Sequence, residues 1–337
     1  MRRRDFFVGL SFALAMRAAH AQEPGRVYRI AIVHPNVPVA EMREVGDHPY
    51  YPAFFEELRR LGYLEGQNLV VERYSGEGQP ERYAEVTRRA VASRPDVILA
   101  SATYMVGYLK QVTTTVPIIG VTADPVASGL VASLARPGGN ITGASIDAGI
   151  QMLGKRLEIL KEAVPKISRV AFLAPRGLWD GTQNPSVLPA LQKAAQQLGM
   201  MLVGPSLDSP IQDAEYRRVI TAMAGEHADA LLVSDASENL VHRRLIVELA
   251  EKARLPTIYP WRDYVEVGGF MAYAVDLKDV FRRAAGQVDQ ILKGGHPGEM
   301  PVYQPTTFEL IINLKTARVL GIEIPTSLLT WADEVIE

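Results

Sequence analysis

The chain has 337 residues, which is enough for two domains of ordinary size. Apolar residues make up 47% and charged residues 22%, a balance that excludes collagen-like, low-complexity and disordered classes. The formal net charge of -2 argues against a nucleic-acid surface, and the lack of cysteine excludes disulfides, a thiolate nucleophile, a cysteine-bound metal and a lipoprotein anchor.

The first 21 residues have the pattern of an export signal. Arginines at positions 2–4 precede an apolar run over residues 6–16, and Ala19-His20-Ala21 is a small-x-small cleavage sequence. The apolar run is roughly half the length needed to span a bilayer. We therefore expect cleavage near Ala21 and a free, soluble mature protein outside the cytoplasm. The pattern leaves open whether export uses the general or the twin-arginine route.

Short apolar runs then alternate with amphipathic segments, which predicts a parallel sheet with helices on both faces. The predicted strands of the first half are RIAIV (29–33), NLVVERY (68–74), DVILAS (96–101) and VPIIGV (116–121). The predicted helices are YYPAFFEELRRLGY, PERYAEVTRRAVASR, TYMVGYLKQV and, after Asp124, PVASGLVASLA. Gly62 follows the first of these helices, where a residue with positive φ is favoured.

The same order of elements then repeats in the second half. RVAFLAP (169–175) resembles RIAIVHP (29–35), HADALLVSDAS (227–237) resembles RPDVILASAT (94–103), and each half has a helix that stops at Leu-Gly before a strand. We therefore predict an α/β protein of two doubly wound, Rossmann-like lobes. PGGNITG is predicted to lead to the first crossing between lobes, and GGFMAYAVD to the second.

Ligands of open parallel sheets bind outside the carboxyl ends of the strands, so a cleft between the two lobes is the predicted binding site. The candidate ligand-binding residues lie at or near these ends: Asn36, Tyr51, Ser101, Thr103, Thr122, Asp124, Trp179, Asp235, Tyr259, Trp261 and Tyr273. Ser101 and Thr103 precede a helix whose free N–H groups would suit a carboxylate or phosphate. The same two hydroxyls could equally serve only as helix caps.

Asp124 and Asp235 are predicted on opposite sides of the cleft. Either could accept from a ligand ammonium or hydroxyl, Asp124 could instead only cap the helix after it, and the pair could perform acid-base catalysis. The three aromatics Trp179, Tyr259 and Trp261 would form a stacking wall for a flat ligand, or belong to the core. GIQMLGKR fits GxxxxGK but lacks the final Ser or Thr of a phosphate-binding loop, so its Lys and Arg are expected to face solvent.

Long blocks of the chain resemble a known family. These are ELRRLGYLEGQNLVVE, DPVASGLVASLARPGGNITG, GKRLEILKEAVPKISRVAFL, LPTIYPWRDYVEVGGFMAY and FELIINLKTARVLGIEIPTSLLTWADEVIE. They are similar to the substrate-binding proteins of bacterial ABC transporters, some of which bind tryptophan or other aromatic amino acids. The likeness runs from about residue 27 to residue 337.

The resemblance implies a type I periplasmic-binding-protein fold with three crossings and hinge closure. The first lobe would comprise residues 27–143 plus about 276–310, and the second 144–275 plus about 311–337. It also implies that Ser101, with Thr122 or Thr103, holds a ligand carboxylate and that Asp235 holds an ammonium. The chain departs from many relatives in having Ser101-Ala102-Thr103 where they have Gly-Thr, and a long loop over residues 34–52.

The expected function is therefore an exported, periplasmic, monomeric receptor that captures a small carboxylate-bearing solute, aromatic or amino-acid-like, and delivers it to an ABC permease in the inner membrane. No cofactor, metal, catalysis or nucleic acid is expected. Two alternatives remain: an α/β enzyme that uses Asp124 and Asp235 as an acid-base pair, and a ligand-sensing subunit of a receptor.

Overall fold

The computed structural model describes residues 25–46, 48–146 and 150–337, so the expected signal peptide lies outside the described residues. Its first sheet has five parallel strands in the order β2-β1-β3-β4-β5. These strands are β1 (Tyr28–His34), β2 (Leu69–Ser75), β3 (Val97–Ser101), β4 (Ile118–Thr122) and β5 (Ile141–Ser145). The helices between them are α1 (Tyr51–Arg60), α2 (Pro80–Ala92) and α3 (Thr103–Val112).

Side-chain alternation along the strands explains why helices cover both faces of this sheet. In β1, Ile30 and Ile32 pack into one buried cluster, while Ala31 and Val33 pack into another with residues of α2 and α3. Successive side chains of a strand point to opposite faces, so a strand that is apolar at every position must be buried on both. We call the five-stranded sheet with its helices the first lobe. The central strands are therefore buried inside this lobe.

The second lobe repeats this arrangement. Its strands begin with β6 (Arg169–Leu173), β7 (Met201–Val203), β8 (Ala230–Val233), β9 (Thr257–Tyr259) and β10 (Met271–Ala274), and these pair in the same order of second, first, third, fourth and fifth. Its helices are α4 (Ile150–Ala163), α5 (Arg176–Trp179), α6 (Val187–Gln197), α7 (Asp213–Gly225), α8 (Ser237–Val241), α9 (Arg243–Lys252) and α10 (Arg262–Glu266).

In each half, the first long helix after the first strand of the sheet ends at a Leu-Gly pair. Gly62 after α1 has φ +93° and Gly199 after α6 has φ +68°. These are left-handed conformations that glycine adopts without a steric penalty, so the internal repeat is confirmed at the helix ends as well as in the strand order.

The remaining elements complete both lobes. Helix α11 (Leu277–Leu292) packs against α1 and against the strands of the first sheet. The chain then returns to add β11 (Glu309–Asn313) antiparallel to β10, followed by α12 (Leu314–Leu320), α13 (Thr326–Trp331) and β12 (Glu334–Ile336). Two short 3₁₀ helices lie at Val39–Glu41 and Pro297–Glu299. The first sheet thus runs to Ser145, and the second sheet resumes at Glu309.

The expected helix after Asp124 is absent, and that prediction was wrong. Residues 125–129 form turns, and the Asp124 carboxylate accepts from the N–H groups of Val126 (3.0 Å) and Ala127 (2.9 Å). Asp, Ser and Gly bond to or bend the local backbone instead of continuing a helix, and Gly129 adopts φ +66°. Asp124 therefore stabilises a turn at the end of β4.

One of the apolar clusters extends through both lobes. The buried cluster that contains Tyr51 and Phe54 of α1 and Phe281 of α11 also contains Tyr264 and Val265 of α10. Within the described residues, no helix is both long and apolar enough to span a membrane.

Candidate functional site

A cavity of about 650 Å³ lies between the lobes, at the carboxyl ends of their strands. Its walls include Ser101 at the end of β3 and Asp124 after β4 in the first lobe, with Ser234 and Asp235 after β8 and Trp261 after β9 in the second. The volume is in the range of sites for small molecules.

The start of α3 forms one wall of the cavity. Ser101, Ala102, Thr103 and Tyr104 all line it, and Thr103 Oγ1 accepts from the N–H of Ala123 (3.1 Å), which leaves the hydroxyl proton available for a further bond. The Ser101 hydroxyl is buried and, within the described residues, makes no hydrogen bond of ordinary length. A helix start with unused N–H groups and hydroxyls favours a negatively charged ligand group.

Among the described residues, three carboxylates line the cavity, and they differ in their bonding. Asp124 is engaged with its own turn, and Glu238 accepts from the Tyr104 hydroxyl (3.1 Å) and from Ser237 (3.3 Å). Asp235 is half-buried and, within the described part of the chain, has no hydrogen bond or ion pair. It is therefore the carboxylate best placed to accept from a positively charged ligand group.

Apolar side chains form much of the second-lobe wall. They are contributed by helix α4, strand β6 and the segments after β6 and β9: Met152, Leu153, Phe172, Leu178, Val187 and Trp261. Phe281 of α11 and Tyr50 add aromatic surface from the first lobe. A cavity with this lining suits a ligand that has a large apolar or aromatic part together with polar ends.

Two imidazoles lie at the end of β1. His34 Nδ1 accepts from the N–H groups of Asn36 (3.1 Å) and Val37 (2.9 Å), and His48 Nδ1 accepts from Tyr50 N–H (3.4 Å). Burial lowers the pKa of His34 well below its usual value and lowers the pKa of His48 to about 3. Both rings are therefore neutral at physiological pH, because burial penalises the charged form.

Hydrogen bonds join the two lobes across the cleft. The amide of Asn36, after β1, donates to Ser237 Oγ (2.7 Å) at the start of α8, next to the bond from Tyr104 to Glu238. The Tyr50 hydroxyl donates to the buried Asp263 carboxylate of α10, whose pKa is raised by burial. The lobes are thus in contact around the cavity.

The family of this chain is identified by its match to a model of a known protein family. Residues 48–336 match the family model described as ABC transporter substrate binding protein. The chain belongs to this family. The expected family and the expected two-lobed fold are both confirmed.

Relatives of this substrate-binding protein include a tyrosine-binding protein of Clostridioides difficile (strain R20291), 23% identical over 271 residues, which cover 80% of this chain and 76% of the relative. A conserved domain protein from Vibrio cholerae has a similar structure, with a TM-score of 0.78, 25% identity and coverage of 92% and 100%. A Streptococcus pneumonia structure in complex with L-Trp has a TM-score of 0.76, 24% identity and coverage of 91% and 100%.

The cavity of this substrate-binding protein brings five of the candidate residues together. They come from four strand ends in the two lobes: Ser101, Thr103, Asp124, Asp235 and Trp261. Each lies at the end of a parallel strand or two residues after it, which is why the sequence pattern could place them at one edge.

The other six candidates are not among the lining residues. Asn36 bonds across the cleft, and Thr122 is buried with its hydroxyl 3.5 Å from Ala144 O. The remaining four pack on other rings: Tyr51 on His48 and Phe281, Trp179 on Phe172, Tyr259 on Tyr264, and Tyr273 between Phe308 and Trp331. Large aromatics gain most from full burial, and Trp261 alone of the three expected wall aromatics lines the cavity.

Arg156 was expected to face solvent, and that prediction was wrong. It is buried in α4 and lines the cavity, and its guanidinium donates to Tyr273 O (2.9 Å) and Pro260 O (3.3 Å). The helical spacing of apolar residues offers a signal, because Met152, Leu153, Leu157 and Leu160 lie on the same side of the helix as Arg156. His48 and Glu238 carried no such signal, since they lie in a loop and at a helix start.

Proposed function

We propose that this protein is the exported substrate-binding component of an ABC importer and that it captures an amino acid with a large apolar or aromatic side chain. One observation carries the proposal: the Asp235 carboxylate, which has no hydrogen bond or ion pair within the described residues, borders the same cavity as the start of α3 and an apolar wall. These three features match the ammonium, the carboxylate and the side chain of an amino acid.

The orientation of the ligand follows from the charges of the walls. The carboxylate would bind at the first lobe, to the hydroxyls of Ser101 and Thr103 and the N–H groups that begin α3. The ammonium would bind Asp235 of the second lobe, and the side chain would lie against Trp261 and Phe172. Because the two charged ends bind different lobes, an amino acid would favour the closed arrangement.

The relatives support the same class of ligand. One is a tyrosine-binding protein, and another was crystallised with L-Trp. The family description supports a partner among ABC transporter membrane components, here a permease. The export pattern of residues 1–21 supports a place in the periplasm, where such a receptor would act as a monomer.

The proposal is tested by a thermal-shift screen of the purified mature protein against the amino acids and aromatic acids, followed by calorimetry. We expect an aromatic or large apolar L-amino acid to raise the melting temperature and to be recovered unchanged. Recovery of a converted product would instead indicate an enzyme, and a flat screen would contradict amino-acid binding.

The variant Asp235→Asn tests the proposed contact between Asp235 and the ligand ammonium. It keeps the size of the side chain but removes the charge, and the lost charged hydrogen bond should weaken binding by about tenfold or more. Asp124→Asn is the control, because Asp124 already accepts from its own turn. Equal affinities of wild type and Asp235→Asn would overturn the proposed orientation.

A further inference from the structure

Two buried polar atoms in the cavity-lining residues make no ordinary hydrogen bond to the described part of the chain. His48 and Ser101 both line the cavity, and within the described residues neither His48 Nε2 nor Ser101 Oγ makes a hydrogen bond of ordinary length, although the Tyr51 hydroxyl lies beside Ser101 and has no other partner there. Buried polar atoms are paired in the great majority of cases, and leaving one unpaired is costly. Two such atoms in residues that line one cavity point to a group supplied by the ligand.

Both atoms are hydrogen-bond donors. His48 Nδ1 accepts from the Tyr50 N–H, so the proton of the neutral ring is on Nε2. Because burial holds the pKa of His48 at about 3, the ring stays in this form throughout the physiological range. The Ser101 hydroxyl has a proton to donate as well.

The two donors lie at the point where the strand order of the first sheet reverses. Strands β1 and β3 are neighbours, and their ends carry His34 and Ser101. His48 packs beside His34, with their ring centroids 6.3 Å apart. Crevices at such reversal points are the usual ligand sites of open parallel sheets, and here α3 begins at the same place.

We propose that His48 Nε2 and Ser101 Oγ donate to the carboxylate of the bound ligand, so that the acid is recognised by neutral donors at the reversal point. This inference rests on the proposed function and assigns His48 as a specificity-determining residue. Among the described lining residues, Arg156 is the one Arg or Lys, and it lies on the second-lobe wall bonded to backbone carbonyls.

The test compares amino acids with their carboxamides, which keep the ammonium and the side chain but lack the charged acid. Calorimetry would measure L-tyrosine, L-tryptophan, L-tyrosinamide and L-tryptophanamide on wild type, His48→Phe, His48→Gln and Ser101→Ala. We expect His48→Phe and Ser101→Ala to lower the acid-to-amide affinity ratio by about tenfold each, and His48→Gln, which retains an N–H donor, to lower it by less than about threefold.

His242→Phe is the matched control, because the His242 ring is not among the lining residues and its Nδ1 lies 2.9 Å from the backbone oxygen of Glu238. An unchanged ratio in both His48→Phe and Ser101→Ala would overturn the inference while leaving amino-acid binding intact. The inference would also be overturned if Arg156→Gln were the one variant that lowered the acid-to-amide affinity ratio, because the ligand carboxylate would then bind the second lobe. If the wild-type protein bound neither L-tyrosine nor L-tryptophan, the result would contradict the proposed function itself, and with it the inference that rests on it.

Discussion

At the scale of single residues, the neutral cavity histidines His34 and His48 make the free energy of unfolding depend on pH. The unfolded chain binds a proton on each histidine below about pH 6.5, whereas the folded chain keeps both rings neutral because of burial. The unfolded state therefore binds more protons, and the free energy of unfolding must fall as the pH falls. This contribution is complete above pH 6.5 and is lost towards the folded pKa of His48, about 3.

We accordingly predict that His48→Gln flattens the pH dependence of stability. Between pH 6 and pH 4, the free energy of unfolding of wild type should fall more steeply than that of the variant by about 1.4 kcal/mol per pH unit, the contribution of one proton. Urea unfolding at a series of pH values measures both slopes. Parallel slopes would show that His48 is protonated in the folded protein.

At the scale of elements, the turn into α3 determines where the cavity hydroxyls lie. Ala102 has φ +74°, a conformation that residues with a Cβ rarely adopt, and it separates Ser101 from Thr103. The cost of such strain is about 1 to 3 kcal/mol. The strain persists because the Ala102 N–H donates to Val121 O (3.0 Å), which ties the turn to β4.

We predict that Ala102→Gly raises the free energy of unfolding by about 1 kcal/mol, since relief of the strain exceeds the extra entropy of glycine in the unfolded chain. Chemical denaturation of the ligand-free protein measures the change. The control is Ala224→Gly, at an exposed helical position of α7, which should lower stability by about 0.5 to 1 kcal/mol. A destabilised Ala102→Gly would mean that the turn is unstrained.

Helices and strands with a strong apolar pattern could be predicted from the sequence, as α1, α3 and β1 show. The helix after Asp124 could not, because turn-forming bonds of Asp124 compete with helical ones and only the folded chain shows which prevail. The prediction that Arg156 faces solvent was wrong for a related reason. A guanidinium on an apolar helix face is expected at the surface unless distant carbonyls, here of Pro260 and Tyr273, are known to accept from it.

At the scale of the whole molecule, the cavity exists because the lobes meet. The first-lobe residues Asn36 and Tyr104 bond Ser237 and Glu238 of the second lobe, and Tyr104 stacks on Tyr83 behind it (5.4 Å). The sequence predicted the strand ends that border the cleft. It could not predict these cross-cleft partners or His48, because their place depends on how one lobe approaches the other.

We predict that Asn36→Ala favours separation of the lobes. Asn36 does not line the cavity, so loss of its bond to Ser237 should weaken ligand binding about two- to tenfold by reducing the closed population. Small-angle scattering of the ligand-free variant should show a larger radius of gyration. Asn68→Ala is the control, because Asn68 bonds within the first lobe; equal effects of both would rule out a role in closure.

The route of the chain through the lobes also determines when each can fold. Helix α11 covers the first sheet but is made only after β10, and β11 and β12 complete the second sheet last. During synthesis, the first lobe therefore lacks a cover over part of its apolar face until residue 292 has been made, and the second lacks two strands until residue 336. Both lobes are therefore completed late in synthesis, the first before the second.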